Sequence, residues 1–324
     1  MLNIGVMALA SPSGPLRIAT FESLEVTPLS ADDAAAYARL ASDEVVLAIG
    51  TATIGVRFSR GSAAAAFAER FGDMLAHRAG DIIVYAVALE REAYFFLSPG
   101  DARRWAEPAS DELLVFFADN VAMYHHFSIS DDLGFHAAVV ASASRVVVLT
   151  GASTAGKTTT AIAAVRNGFS FYSDERCIVQ HNTIVSFPRA LTIREGGRSA
   201  LLGDGAAPSA LTERLREMPP NGENAIRPSM LFGEPLGGLA VALAGVFIIE
   251  GRADVPLVEP SSVYATLHAL LRSTSCRETG LARVARLVAQ LRSVPVYRLW
   301  LGSPDASARA IERTLDAADA GPSS

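Results

Sequence analysis

The 324-residue sequence predicts an α/β fold in two parts, a phosphate-loop domain preceded by a smaller α+β domain. Three observations carry this expectation. Gly151-Ala152-Ser153-Thr154-Ala155-Gly156-Lys157-Thr158 completes the pattern G-x-x-x-x-G-K-[ST]. A β-branched run, Arg145 to Thr150, precedes it, and a segment of helical apolar spacing, Thr158 to Arg166, follows. From about residue 131 onward, apolar runs alternate with helix-period segments, as in a sheet covered by helices.

The elements follow in order. In residues 1–130, Glu44 to Gly50 and Thr53 to Phe58 read as neighbouring strands, and Ala63 to Arg78 as a helix. Asp81 to Ala88 and Ala93 to Leu97 read as a second pair of strands, and Leu113 to Met123 as a helix. This part carries no recognisable catalytic constellation; its expected role is to pack on the second part or to help bind a substrate for it. In residues 131–318, strands are expected at His136–Ala141, Arg145–Thr150, Phe169–Tyr172, Arg176–Gln180 and Leu239–Ile249. Arg189 to Asn224, rich in Gly, Pro, Arg and Glu, reads as a loop and a substrate flap. Helices at Ser261–Leu271 and Gly280–Arg292, a strand at Val294–Leu299 and a helix at Asp305–Ala318 close the domain. Residues 319–324 read as a frayed tail.

Composition narrows the class. Half of the residues are hydrophobic and the net charge is −6, which gives no electrostatic footprint for nucleic acid. The longest apolar stretch, Leu239 to Ile249, is too short to span a bilayer. Met1 to Ala10 lacks a basic region and is broken by Gly5, so export is not expected. Cys177 and Cys276 make neither a disulfide framework nor a metal pair, and Cys177 reads as a small buried residue. Adjacent helical residues face different ways, so His125-His126 does not read as a metal pair. The expected compartment is the cytoplasm.

Lys157 is the only lysine in the chain, and every other basic side chain apart from histidine is arginine. A compact ammonium on a flexible stem can reach over a glycine loop to the β- and γ-phosphates, where a planar guanidinium fits poorly. Residues Gly151 to Thr159 therefore read as a cradle for a nucleoside triphosphate, at a helix N-terminus that favours anions. Thr158 is expected at Mg²⁺ and Thr159 at a phosphate oxygen.

Phosphoryl transfer also needs an acid near the metal. A helix from Lys157 to Asn167 climbs about 16 Å from the loop, and an extended segment from Phe169 to Asp174 returns a comparable distance. That brings Asp174, beside Glu175, back to the loop. A second candidate acid is Glu250, at the end of the apolar run Val246 to Ile249; it would suit an ATP-binding switch or slow ATPase. Arg189, Arg194 and Arg198 are candidates to clamp a phosphate or a peptide carboxylate.

From His136 to Val179 the chain resembles the HPr kinase/phosphorylase-like branch of P-loop kinases, a superfamily that includes the ATP-dependent phosphoenolpyruvate carboxykinases. The carrying residues are His136, a strand ending Leu149-Thr150-Gly151, then Gly156-Lys157-Thr158-Thr159, the helix end Asn167-Gly168 and the pair Asp174-Glu175. The histidine is followed by Ala137 where that family has glycine, and the glycine- and isoleucine-rich second signature is absent. The resemblance is to the related kinases associated with peptide natural-product and lasso-peptide clusters. It implies a P-loop kinase domain of HPr-kinase type using ATP and Mg²⁺, with a hydroxyl acceptor such as serine of a peptide or protein, and potential homo-oligomers. By resemblance Lys157 would bind the phosphates and Thr158 the metal. Asp174 would take the acceptor's proton, Glu175 assist at the metal, and His136 line the site.

Overall fold

The computed structural model describes residues 7–9, 17–19, 21–142, 145–180, 183–203, 210–217, 225–233 and 241–319. The chain divides into two compact units, Met1–Ser130 and Asp131–Ser324. The tail beyond Asp319, and parts of the expected flap and of the expected N-terminal segment, lie outside the described residues.

In the first unit, strands Glu25–Val26, Arg103–Trp105, Ala93–Phe96, Ile82–Ala88, Ala52–Phe58 and Asp43–Ile49 form one sheet in that spatial order. All pairs are antiparallel except Ala52–Phe58 with Ile82–Ala88. Asp111–Ile129 is a helix apolar almost all round, opened by Ser110, whose hydroxyl accepts from the Leu113 amide. Its Phe117 meets Phe95 at 5.4 Å between ring centroids. His125 and His126 are both buried on this helix; His125 Nε2 is 3.6 Å from Asp101, while the His126 ring packs edge-on to Phe127. A helix at Ala31–Leu40, capped by Ser30 on the Asp33 amide, was not foreseen from the sequence.

The second unit is built around one long strand. The labels used below are β1 (Ala137–Ser142), β2 (Arg145–Gly151), α1 (Lys157–Arg166), β3 (Ser170–Ser173), α2 (Glu195–Leu202), β4 (Val241–Arg252), β5 (Leu257–Ser261), β6 (Val296–Leu301) and α3 (Pro304–Asp319). The spatial order is β3-β1-β2-β4-β6-β5, with β4 parallel to both β2 and β6. Strands Thr183–Val185, Cys177–Gln180, Leu133–Phe135 and Thr274–Ser275 branch from the beginning of β4.

Side chains along the parallel strands alternate between two cores, as the twofold strand period requires. Val147, Leu149, Phe247, Ile249, Leu299 and Leu301 face α1 and α3, while Val146, Val148, Val246, Ile248 and Val296 face Leu270, Leu287 and Leu291. Each such fully buried side chain contributes about 1.5–3 kcal/mol. Ala161, Ile162, Ala163 and Ala164 are all fully buried, and the small size of the three alanines lets α1 lie close on the sheet. The helix ends at Asn167-Gly168, where Gly168 takes φ 98°. Arg166 there makes a two-pronged pair with Asp305 of α3, Nε to Oδ1 at 2.9 Å and Nη2 to Oδ2 at 2.6 Å.

The helices expected at Ala63–Arg78 and Ser261–Leu271 span Gly61–Arg70 and Leu267–Ser273 instead, and the expected flap also needs correction. Arg189 to Asn224 is not a plain loop: Glu195–Leu202 and Ala210–Glu217 are helices, and Leu191–Thr192 pairs with Ala225–Ile226. Gly196 and Gly197 argue against a helix on propensity, but burial of Leu201 and Leu215 in the core under α1 overrides them.

Candidate functional site

The phosphate loop leaves β2 at Gly151 and enters α1 at Lys157, on the carboxyl side of the parallel strands. Gly156 adopts φ 107°, and a Cβ there would stand 2.9 Å from Leu301 Cδ1, so both angle and space demand glycine. Lys157 is buried, and its Nζ donates to the carbonyls of Gly151 at 3.2 Å and Ala152 at 3.0 Å. The ammonium thus curls over its own loop, held by acceptors that phosphate oxygens can replace. Burial lowers its pKa, outweighing the attraction of Glu175 and Asp174.

Asp174 follows β3 directly and is 3% exposed. The Thr158 hydroxyl donates to its Oδ2 at 2.7 Å, which ties the first turn of α1 to the end of β3. Burial, and next the charge of Glu175, push the Asp174 carboxyl up to about 7. Glu175 has φ 69°; it and Thr154 in the loop, with φ 65°, are the non-glycine residues with positive φ among those described. Both therefore sit in this site, where backbone strain is a functional signal. His136 stands between Leu133–Phe135 and β1, its Nδ1 3.1 Å from the Glu175 carbonyl and 3.3 Å from its carboxylate. Burial lowers the His136 pKa, with Lys157 and Arg176 adding to the effect against Glu175.

His136, Lys157, Thr158 and Glu175, but not Asp174, line one cavity of about 380 Å³. Of the residues singled out in the sequence, His136, Ser153, Thr154, Gly156, Lys157, Thr158, Thr159, Glu175 and Arg194 line it. Asp174 lies beneath Thr158, and Ala155 packs on the core under the loop. Two of the three candidate arginines are elsewhere. Arg189 is buried away from the lining, and Arg198 donates to the carbonyls of Leu215 and Arg216, tying α2 to Ala210–Glu217. Glu250 accepts from Arg298 Nε at 2.9 Å. Arg298 falls on the sheet face opposite α1, since its neighbours Tyr297 and Leu299 face that helix.

The Thr158 hydroxyl and the carboxylates of Asp174 and Glu175 are hard oxygen donors of the kind Mg²⁺ prefers. Among the described residues no group of three or more His, Cys, Asp or Glu side chains could hold a metal by itself.

Sequence reading missed Arg252, which ends β4 and lines the cavity, and the pair Gly196-Gly197, which roofs it. A Cβ on Gly197 would lie 2.7 Å from Thr159 Oγ1. The available signal was position: Arg252 follows the apolar run of a strand whose carboxyl end belongs to the ligand side of such a sheet.

No protein-family model matches the chain, and no curated protein does either. Among solved structures it is similar to the Hpr(Ser) kinase/phosphatase from Coxiella burnetii. That likeness has 13% identity and a TM-score of 0.31, and covers 58% of this chain and 99% of the other. Among the described residues no helix is long and apolar enough to cross a membrane.

Proposed function

We propose that this protein is a kinase that transfers the γ-phosphate of ATP to a hydroxyl, of the serine kind, on a peptide, protein or small molecule. The observation that carries the reading is the hydrogen bond from Thr158, which lines the phosphate-loop cavity, to Asp174. It joins the loop's hydroxyl to a buried carboxyl whose pKa near 7 suits a general base at neutral pH.

Each residue then has a task. The backbone amides of Ala152 to Thr159 cradle the phosphates, and Lys157 leaves its carbonyl partners for the β/γ-phosphate oxygens. Thr158, Asp174 and Glu175 are the residues that would hold Mg²⁺, which would supply positive charge against the phosphates. Asp174 accepts the proton of the acceptor hydroxyl as its oxygen bonds to the γ-phosphorus. The bond from that phosphorus to the β–γ bridging oxygen breaks, and ADP leaves. His136, with its pKa lowered, stays neutral at pH 7 and orients Glu175. Arg194, at the head of α2 over the cavity, is placed to meet the transferred phosphate or an acidic acceptor.

The test is incubation with γ-labelled ATP and Mg²⁺ and a pool of serine-bearing peptides and hydroxyl metabolites, following the label by mass. Label on an acceptor is expected. Lys157→Ala should abolish it, and Asp174→Asn should slow transfer roughly 10²–10⁴-fold while nucleotide binding is retained. Release of free phosphate alone, unchanged by any acceptor, would overturn the kinase assignment.

A further inference from the structure

Arg252 reaches the phosphate loop because of an irregularity in β4. Ile248 and Ile249 pair with Arg298 and Leu299 of β6 in regular register, but Gly251 and Arg252 then pair with Trp300 and Leu301. Glu250 is the extra residue of a β-bulge, a device that re-aims side chains beside active sites.

The bulge changes which face each later side chain takes. With strict alternation after Ile249, which faces α1, Arg252 would point to the opposite face. The additional residue instead sets Arg252 beside Leu301, which faces α1 and packs under the loop. Its Nη2 lies 3.7 Å from the Cβ position of Gly156. The same bulge turns Glu250 aside to Arg298. So the carboxylate that would neutralise Arg252 is occupied elsewhere.

Among the described residues, the Arg252 side chain has neither a hydrogen bond nor an ion pair. It enters the cavity that Lys157 and Arg194 also line. The carboxylate in that cavity, Glu175, stands 3.3 Å from His136 Nδ1, so a guanidinium unpaired on this side of the loop is matched by an anionic ligand. Beside a phosphate loop the fitting anion is a polyphosphate, which arginine can grip with two parallel N–H bonds.

We infer that Arg252 is a phosphate-binding residue of the nucleotide site, contacting the phosphate chain from the β4 side of the loop, across from Asp174. This rests on the nucleotide-binding reading above. It assigns the bulge at Glu250 the role of delivering that contact.

The experiment measures affinity of the full chain for Mg·ATP and for Mg·tripolyphosphate by calorimetry, in the wild type and in Arg252→Ala, Arg252→Lys and Lys157→Ala. Arg252→Ala should weaken both ligands in parallel, by roughly ten- to a hundredfold, as expected on losing charge-assisted hydrogen bonds. Its melting temperature without ligand should stay at the wild-type value, because no described group depends on that side chain. Arg252→Lys should fall between, keeping the charge without the fork. Unchanged affinities in Arg252→Ala would overturn the inference. So would weakened ATP binding with tripolyphosphate unaffected, since the guanidinium would then face the nucleoside. Lys157→Ala separates this failure from a deeper one: if it too leaves both affinities intact, the loop does not bind nucleotide.

Discussion

Asp174 is the side chain on which the proposed chemistry depends, and its titration makes the reading measurable. In the unfolded chain its carboxyl ionises near the ordinary value of 3.8, whereas in the fold burial and Glu175 raise it to about 7. Between these values the folded protein keeps a proton that the unfolded chain releases. Stability from this group is therefore complete below pH 4 and declines as pH rises toward 7, then levels off. Without nucleotide or metal, Asp174→Asn should raise the melting temperature at pH 8 by several degrees and leave it nearly unchanged at pH 4. The ceiling on this effect is about 4 kcal/mol. Activity should run the opposite way, because a base must be ionised. The wild-type kcat/KM should climb about tenfold per pH unit below 7 and flatten above it. A flat profile from pH 5 to 8 would remove Asp174 as the base. Sequence spacing alone brought Asp174 back to the loop, because a helix and the strand after it have fixed rises per residue. The raised pKa was not legible, since burial is set by neighbours distant in the chain.

At the scale of elements, two contacts hold α1 where the cradle needs it. At its C-terminal end, Asp305 accepts from Arg166, whose side chain is 5% exposed, and from Asn167 Nδ2 at 2.9 Å. Asp305→Ala would strand that guanidinium in the interior, at a cost of about 3–5 kcal/mol; urea unfolding should show a lower midpoint with an unaltered slope. At its N-terminal end, α2 presses Gly197 against Thr159. Gly197→Ala drives a methyl to within 2.7 Å of the Thr159 hydroxyl, whereas a Cβ on Gly196 has nothing within 4 Å. Gly197→Ala should therefore raise KM for ATP severalfold, and Gly196→Ala should leave KM alone and gain helix propensity of about 0.5–1 kcal/mol. Equal KM values in the two variants would show that α2 does not shape the cradle. These glycines are also where sequence reading failed. Their composition signals a loop, but their use here is close approach of one helix to another, which no local pattern encodes. The long, apolar elements were legible to within a few residues, β2 and the helix Gly280–Leu291 among them. Short strands such as Leu257–Ser261, with one buried neighbour and little periodicity, were not. Arg252 was missed for a related reason: its direction depends on the register between β4 and β6, which a single strand's sequence does not contain.

For the whole molecule, the question is how much of the chain the nucleotide site requires. Both faces of the β2–β4–β6 sheet carry cores whose described members, Leu133 to Leu315, belong to the second unit. The loop, Asp174, Glu175, His136, Arg194 and Arg252 also belong to that unit. The first unit has its own six-stranded sheet and its own buried helix. A unit that buries its own core is expected to fold alone. Residues 131–324, expressed without the rest, should therefore unfold cooperatively and bind Mg·ATP within about threefold of the full chain, since every proposed contact is retained. Lys157→Ala in that fragment should remove the binding. Transfer to an acceptor is the property expected to suffer if the first unit selects the substrate, so the two activities should separate in the fragment. Loss of ATP binding in a fragment that still folds would mean that the first 130 residues complete the nucleotide site. Retention of both binding and transfer would move acceptor selection into the second unit, onto α2 and Arg194.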